Sequence, residues 1–347
     1  MEKNTMMFER YSFNRSHFGG RSGLVGFVAL VFGLGVFANA AAAQSSPAPA
    51  PAAGKKSPVR PPAGPQPGQQ TFDSCGQASS AFIAALQSDG PEALLKILGP
   101  NGKDIAASGD DIADKNRRAE IAKKYQQMHR LVMEPDGTTT LYIGAENWPM
   151  PIPLVHKDSV WYFDTAAGKQ TILYRRIGKH ELAVIQVCRE LADAQQEYYA
   201  TAHDGNAANR YAEKFFSDPD KHNGLYWKAA SGEPESPIGP LVAAAASEGY
   251  PEGAGVGPEP FEGYFFRILN VQDAHSTGHS QSFAGSGKTA GGFAFVAYPA
   301  KYRSTGVMTF LVNQDGVVYE KDLGPRTKEI ATAMTSYHRD ATWRKAD

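Results

Sequence analysis

The sequence predicts an α+β protein built from two folding units, and three observations carry that reading. Apolar residues at three- and four-residue spacing give way to short alternating runs, and this change happens twice along the chain. The alternating runs are joined by short turns, which is how antiparallel strands connect; parallel strands need a long crossover. Hydrophobic residues make up 42% of the 347 and charged residues 20%, the balance of a folded chain rather than a disordered one. The expected plan is a signal peptide at 1–43, a Pro/Ala-rich disordered linker at 44–71, a helical-plus-hairpin unit at 72–168, and at 169–347 a long helix packed on a second antiparallel sheet.

At the amino end, Lys3, Arg10, Arg15 and Arg21 precede an apolar run from Leu24 to Phe37, which leads into Ala38-Asn39-Ala40-Ala41-Ala42-Ala43-Gln44. A basic stretch, an apolar stretch and small residues at a cleavage site are the parts of a secretory signal. Cleavage is expected after Ala43, with Ala40 as the alternative. The run has 14 residues, short of the roughly 20 that span a bilayer. No Cys follows it directly and no twin-Arg pair precedes it, so the general secretion route is expected rather than a lipid anchor. The mature chain is expected to be periplasmic or secreted, with no stable membrane span. Residues 44–70 repeat proline and hold few large apolar side chains, so they read as an extended spacer.

In the first unit, Ala78, Phe82, Ile83 and Leu86 share one face of a helix over 72–87. Leu94, Leu95 and Leu98 bury a short helix that stops at Gly99-Pro100. After Ser108-Gly109-Asp110-Asp111 a third helix is expected at 112–129. Two strand–turn–strand signals follow, around Pro135-Asp136-Gly137 and around His156-Lys157-Asp158-Ser159. In the second unit, residues 179–202 form the longest helical pattern, and a shorter helix is expected around Tyr211, Phe215 and Phe216. A small helix at 241–246 precedes strands at 263–271, 292–297, 307–313 and 317–321, and a last helix is expected at 327–337.

The chain carries 35 basic and 36 acidic residues. Removing residues 1–43 takes away four basic and two acidic side chains, leaving 31 against 34. A phosphate backbone needs a basic excess, so nucleic acid is not an expected partner. Phe283-Ala-Gly-Ser-Gly-Lys-Thr289 contains Gly-Lys-Thr, but Ser282 stands where a phosphate loop needs its first Gly. His275 and His279 with Asp273 have zinc-like spacing but sit in a Gly/Ser/Thr loop. Asp218, Asp220 and Asn223 sample calcium ligands without the remaining EF-hand positions and read as a capped turn. Asp110, Asp111 and Asp114 read as caps and dipole partners of the helix that follows, or as an acid pair. No Gly-x-Ser-x-Gly elbow is present, and Ser282 and Ser286 lie near His279 only in sequence. No cofactor or metal is therefore expected. Cys75 and Cys188, the two cysteines, read either as a disulfide between the units or as two small buried residues. Trp148 and Trp161 (with Tyr162), and separately Tyr226 and Trp227, lie near prolines and are the candidate aromatics for stacking a ligand, with core and turn packing as the alternative.

The order of the first unit and its closing hairpin at 151–164 resemble the cystatin-like, nuclear-transport-factor-2-like cone fold. The second unit resembles the head of pilins and pseudopilins, through Ala194, Gln195 and Tyr198 and the closing phrase Phe310-Leu-Val-Asn-Gln-Asp-Gly316. True pilins begin with a Phe and an early Glu in the apolar helix, which this chain lacks.

Seven phrases carry a wider likeness: Ser108-Gly-Asp110, Trp148-Pro-Met-Pro-Ile-Pro153, Trp161-Tyr-Phe-Asp-Thr-Ala-Ala-Gly168, Arg175-Arg-Ile-Gly178, Gly224-Leu-Tyr-Trp227, Ser236-Pro-Ile-Gly-Pro-Leu241, and residues 312–324. By these the chain over 72–345 resembles the domain-of-unknown-function-2950 family. That resemblance implies an exported envelope protein of Gram-negative bacteria with no assigned activity and no catalytic residues to carry over. The function expected is binding or scaffolding of an envelope component. A periplasmic hydrolase with a pocket in the first unit, or a secretion- or pilus-associated component, are the alternatives.

Overall fold

The computed structural model describes residues 64–204, 208–269, 271–272 and 292–346. Expectations for residues 1–63, for Asp273, His275 and His279 and for the Gly-Lys-Thr segment lie outside the described residues. The described residues cluster as one compact unit, and the α+β class holds, with helices packed on two five-stranded antiparallel sheets.

Ser74 caps α1 (Cys75–Leu86) by accepting a hydrogen bond from the Gln77 amide, and Ala78, Phe82, Ala85 and Leu86 face inward. α2 (Glu92–Leu98) ends at Gly99, whose φ of +70° turns the chain out of the helix. A one-turn helix, α3 (Lys103–Ala106), leads to α4 (Asp111–Gln127), capped by the Asp110 carboxylate on the Ala113 amide. The first sheet holds β1 (His129–Met133), β2 (Thr139–Ile143), β3 (Trp148–Pro149), β4 (Leu154–Lys157) and β5 (Val160–Phe163). Its order is β1-β2-β4-β5, with β3 on β2. Asp158 and Ser159, at φ +51° and +68°, make the two-residue turn between β4 and β5. The first core forms where α1, α2 and α4 cover this sheet, with the Phe82 and Phe163 rings 5.2 Å apart.

Residues 64–71, expected to belong to the linker, are packed into this unit. The buried Gln69 amide donates to the carbonyls of Ile97 and Phe163 at 2.9 and 2.8 Å. Composition missed this because the ordering comes from hydrogen bonds rather than from apolar burial.

α5 (Thr165–Ala200) is 36 residues long. It begins well before the expected residue 179 and runs straight through the expected boundary at 168/169. Asp164 caps it, and Gly168 lets it press on the preceding chain: a Cβ there would stand 2.4 Å from the Pro151 carbonyl oxygen. The helix expected at Tyr211–Phe216 is absent. That stretch is irregular, with a single bridge from Phe216 to Tyr226, and its half-buried rings pack one by one instead: Tyr211 on Phe293 at 5.0 Å and Phe215 on Phe295 at 5.5 Å. With Pro219 just beyond it, the run is too short to sustain a helix.

α6 (Gly239–Ser247) precedes β6 (Tyr264–Leu269) and β7 (Val271–Gln272). Then come β8 (Ala294–Pro299), β9 (Met308–Asn313), β10 (Tyr319–Asp322), α7 (Thr327–Ala333), β11 (Ser336–Tyr337) and β12 (Arg344–Lys345). α7 is shorter than expected because Met334 turns extended and β11 pairs with β7 in parallel. The second sheet runs β12-β10-β9-β8-β6. α5 covers one face, and α7 with Trp343 covers the other. β8 is buried at every position, as a central strand covered on both faces must be. No described helix is long and apolar enough to cross a membrane.

Candidate functional site

Two features of the described residues stand apart from ordinary packing: a buried polar junction and an apolar groove. Between them runs the segment 249–263.

The junction joins the first core to the second. Asp110, 1% exposed, caps α4 with one oxygen. With the other it accepts hydrogen bonds from the Gly263 amide at 2.8 Å and the Tyr250 hydroxyl at 3.1 Å. Asp114, one turn on, accepts from the Ser108 amide at 2.7 Å, and the Ser304 hydroxyl donates to the Ser108 carbonyl at 3.3 Å. From α5, Arg176 donates to the carbonyls of Asp104 and Ile105, and a buried His180 ring nitrogen pairs with the Thr305 carbonyl at 2.9 Å. Gly263 is required here: its φ is +72°, and a Cβ would fall 2.6 Å from the His180 ring. Its neighbour Glu262 is buried and also left-handed, at φ +48°. Such backbone is costly for a residue with a side chain and marks a position held by its surroundings.

Burial sets the charge states. It pushes the Asp110, Asp114 and Glu262 carboxyls above the usual range and depresses His180 to about 4. Tyr250 is raised by burial and by the adjacent Asp110 carboxylate. His180 is therefore neutral at pH 7.

The groove lies on the far side of the same segment. Val187 and Leu191 of α5, Leu241 and Val242 of α6, and Phe261 and Phe266 form its walls around a half-open cavity of about 50 Å³. That holds the end of one apolar side chain; sites for small-molecule substrates run to roughly 300–1,000 Å³. α6 reads Gly-Pro-Leu-Val-Ala-Ala-Ala-Ala-Ser, yet none of its residues is fully buried. Tyr250, in contact with Phe261 at 5.1 Å, links groove to junction.

The sequence-predicted residues land in several places. Trp148 and Trp161 pack against the first core, with Arg175 over the Trp148 ring at 5.1 Å and His156 beside Trp161 at 5.0 Å. Tyr226 and Trp227 pack on the second core, and His222 and His203 lie 4.5 and 5.6 Å from the Trp227 ring. The two aromatic groups thus pack on different cores. Cys75 and Cys188 are both free: the first is half-buried on the first core, the second is enclosed in the second with its thiol pushed up to about 12 by burial. The candidate disulfide is not formed. Asp218 accepts from Lys214 and Asn223, as a capped turn would. Among the described residues no three His, Cys, Asp or Glu side chains could hold a metal ion. Asp110 and Asp114 serve as cap and anchor, while Asp111 is exposed. Tyr250, Glu262, His180 and the groove were missed. The one sequence signal near them was the phrase Ser108-Gly-Asp110.

No curated protein and no solved structure matches the chain, so the cone-fold and pilin-head resemblances gain no support. One family model matches, described as a protein of unknown function (DUF2950), over residues 69–346. That span takes in both cores, the junction and the groove, and the chain belongs to the DUF2950 family.

Proposed function

We propose that this is an exported envelope protein that works by binding another envelope protein without catalysis, and that the groove under α6 receives an apolar side chain of that partner. The observation that carries the reading is α6 itself: an apolar helix left half-exposed beside a cavity sized for one side chain. Export rests on the basic, apolar and small-residue succession at 1–43. The non-catalytic reading is supported by the junction, where Asp110, Asp114 and His180 are each engaged in holding backbone.

A photo-crosslinking residue at Val242, introduced in cells, tests both parts. The expected result is a discrete adduct in the periplasmic fraction, lost with Leu241→Glu, on a chain beginning at Gln44. A chain that still begins at Met1 in the cytosol defeats the export reading. Equal labelling with and without Leu241→Glu defeats the groove.

A further inference from the structure

We infer that two copies of this chain associate through the exposed face of α5, antiparallel to one another, with the two-fold axis at Gln186. The stripe is symmetric in position about that residue, and its charge reverses sign at the two outer pairs. Four positions to either side stand Leu182 and Glu190, seven to either side Lys179 and Asp193, and eleven to either side Arg175 and Glu197; all are exposed. Offsets of four, seven and eleven keep to one stripe of a helix, the spacing of a coiled-coil seam.

Turning a second helix antiparallel over this stripe sets Arg175 against Glu197 of the other copy and Lys179 against Asp193, at both ends at once. Leu182, 53% exposed, then lies along the aliphatic part of Glu190. The two charged ends are about 33 Å apart at 1.5 Å per residue, so the contacts are spread along the helix.

The charge order selects this occupant. An anionic surface would suit Arg175 and Lys179 and be repelled by Glu190, Asp193 and Glu197; a cationic one would meet the reverse. Only a partner carrying the same order in the opposite direction satisfies both halves, and a second copy is such a partner. None of the described ion pairs uses Arg175, Lys179, Asp193 or Glu197. Arg175 rests on the Trp148 ring and Gln186 donates to Glu190 at 3.1 Å, contacts that leave the stripe exposed. With one apolar layer and several exposed charges the association is weak and salt-sensitive.

Sedimentation equilibrium of the whole protein tests it. A dimer is expected at about 50 mM salt, weakened about tenfold or more at about 500 mM, where screening shortens the Debye length. An acidic variant (Arg175→Glu with Lys179→Glu) and a basic variant (Asp193→Lys with Glu197→Lys) should each be monomeric alone and dimeric when mixed, since mixing restores all four pairs. Circular dichroism confirms that both are folded. Separately, Gln186→Cys in a Cys75→Ser background should give an intermolecular disulfide across the axis. A wild-type monomer at every concentration and salt overturns the proposal. So does a dimer that both variants retain, or a mixture that stays monomeric.

Discussion

Asp110 makes three hydrogen bonds to three separate parts of the chain: the first turn of α4, Tyr250 and Gly263. Removing it leaves three buried or half-buried donors without an acceptor. Asp110→Ala is expected to cost about 3 kcal/mol in urea unfolding, and Asp110→Asn, which keeps an acceptor, about 1 kcal/mol. His180 sets a pH dependence. Its pKa, held at about 4 by burial against an ordinary 6.5, means that the unfolded chain binds its proton first. Stability from the neutral ring is complete above about pH 6.5 and is lost as pH falls toward 4, by about 3 kcal/mol. Asp110, Asp114 and Glu262, raised by burial, act in the opposite sense, because the folded state takes up their protons first. The net acid loss is therefore shallower than His180 alone would give. In His180→Gln the loss between pH 6.5 and 4 should vanish, as read from unfolding midpoints across that window. Aspartates before a helix were legible as caps. That Asp110 also reaches Gly263, 153 residues away, was not, because no local pattern encodes a contact at that distance.

Two glycines of α5 separate close packing from open surface. Gly168 faces the Pro151 carbonyl, while a Cβ at Gly178 meets nothing within 4 Å. Gly168→Ala is expected to destabilise by about 2 kcal/mol or more through forced displacement of backbone. Gly178→Ala should stabilise by about 0.5–1 kcal/mol through helix propensity and lost unfolded-state freedom. Thermal melts of the two variants should shift in opposite directions. Elements with caps and clear periodicity, such as α1, α4 and the hairpin β4–β5, were readable in sequence. The start of α5 was not, because its first turns are held by the Asp164 cap and by close contact of Gly168 with Pro151, neither of which the helical pattern from 179 encodes. The aromatic run at 211–216 has helical spacing without helical structure. Its rings find Phe293 and Phe295 across the chain, and that long-range burial outweighs local propensity.

At the scale of the molecule, α5 places Ile172 near its amino end against the first core and its residues from Val184 to Tyr198 in the second, and the junction ties them. The expected consequence is a single cooperative transition. Variants keeping only Trp161 in the first core or Trp227 in the second should report coincident denaturant unfolding; two separated midpoints would show that the cores fold independently. Native thiol titration should find one reactive group, Cys75, with Cys188 appearing only on unfolding, given its full burial and raised pKa.

The sequence by itself determined the α+β class, most of the helices and strands, the separate apolar clusters and the family. These depend on periodicity, caps and turns, which act over a few residues. Only the tertiary structure decided that α5 is continuous across the expected boundary, that three carboxyls and a neutral histidine meet between the cores, and that a groove opens beside α6. Those features arise from contacts between residues far apart in the chain, where burial and close approach, rather than local preference, set the conformation and the charge.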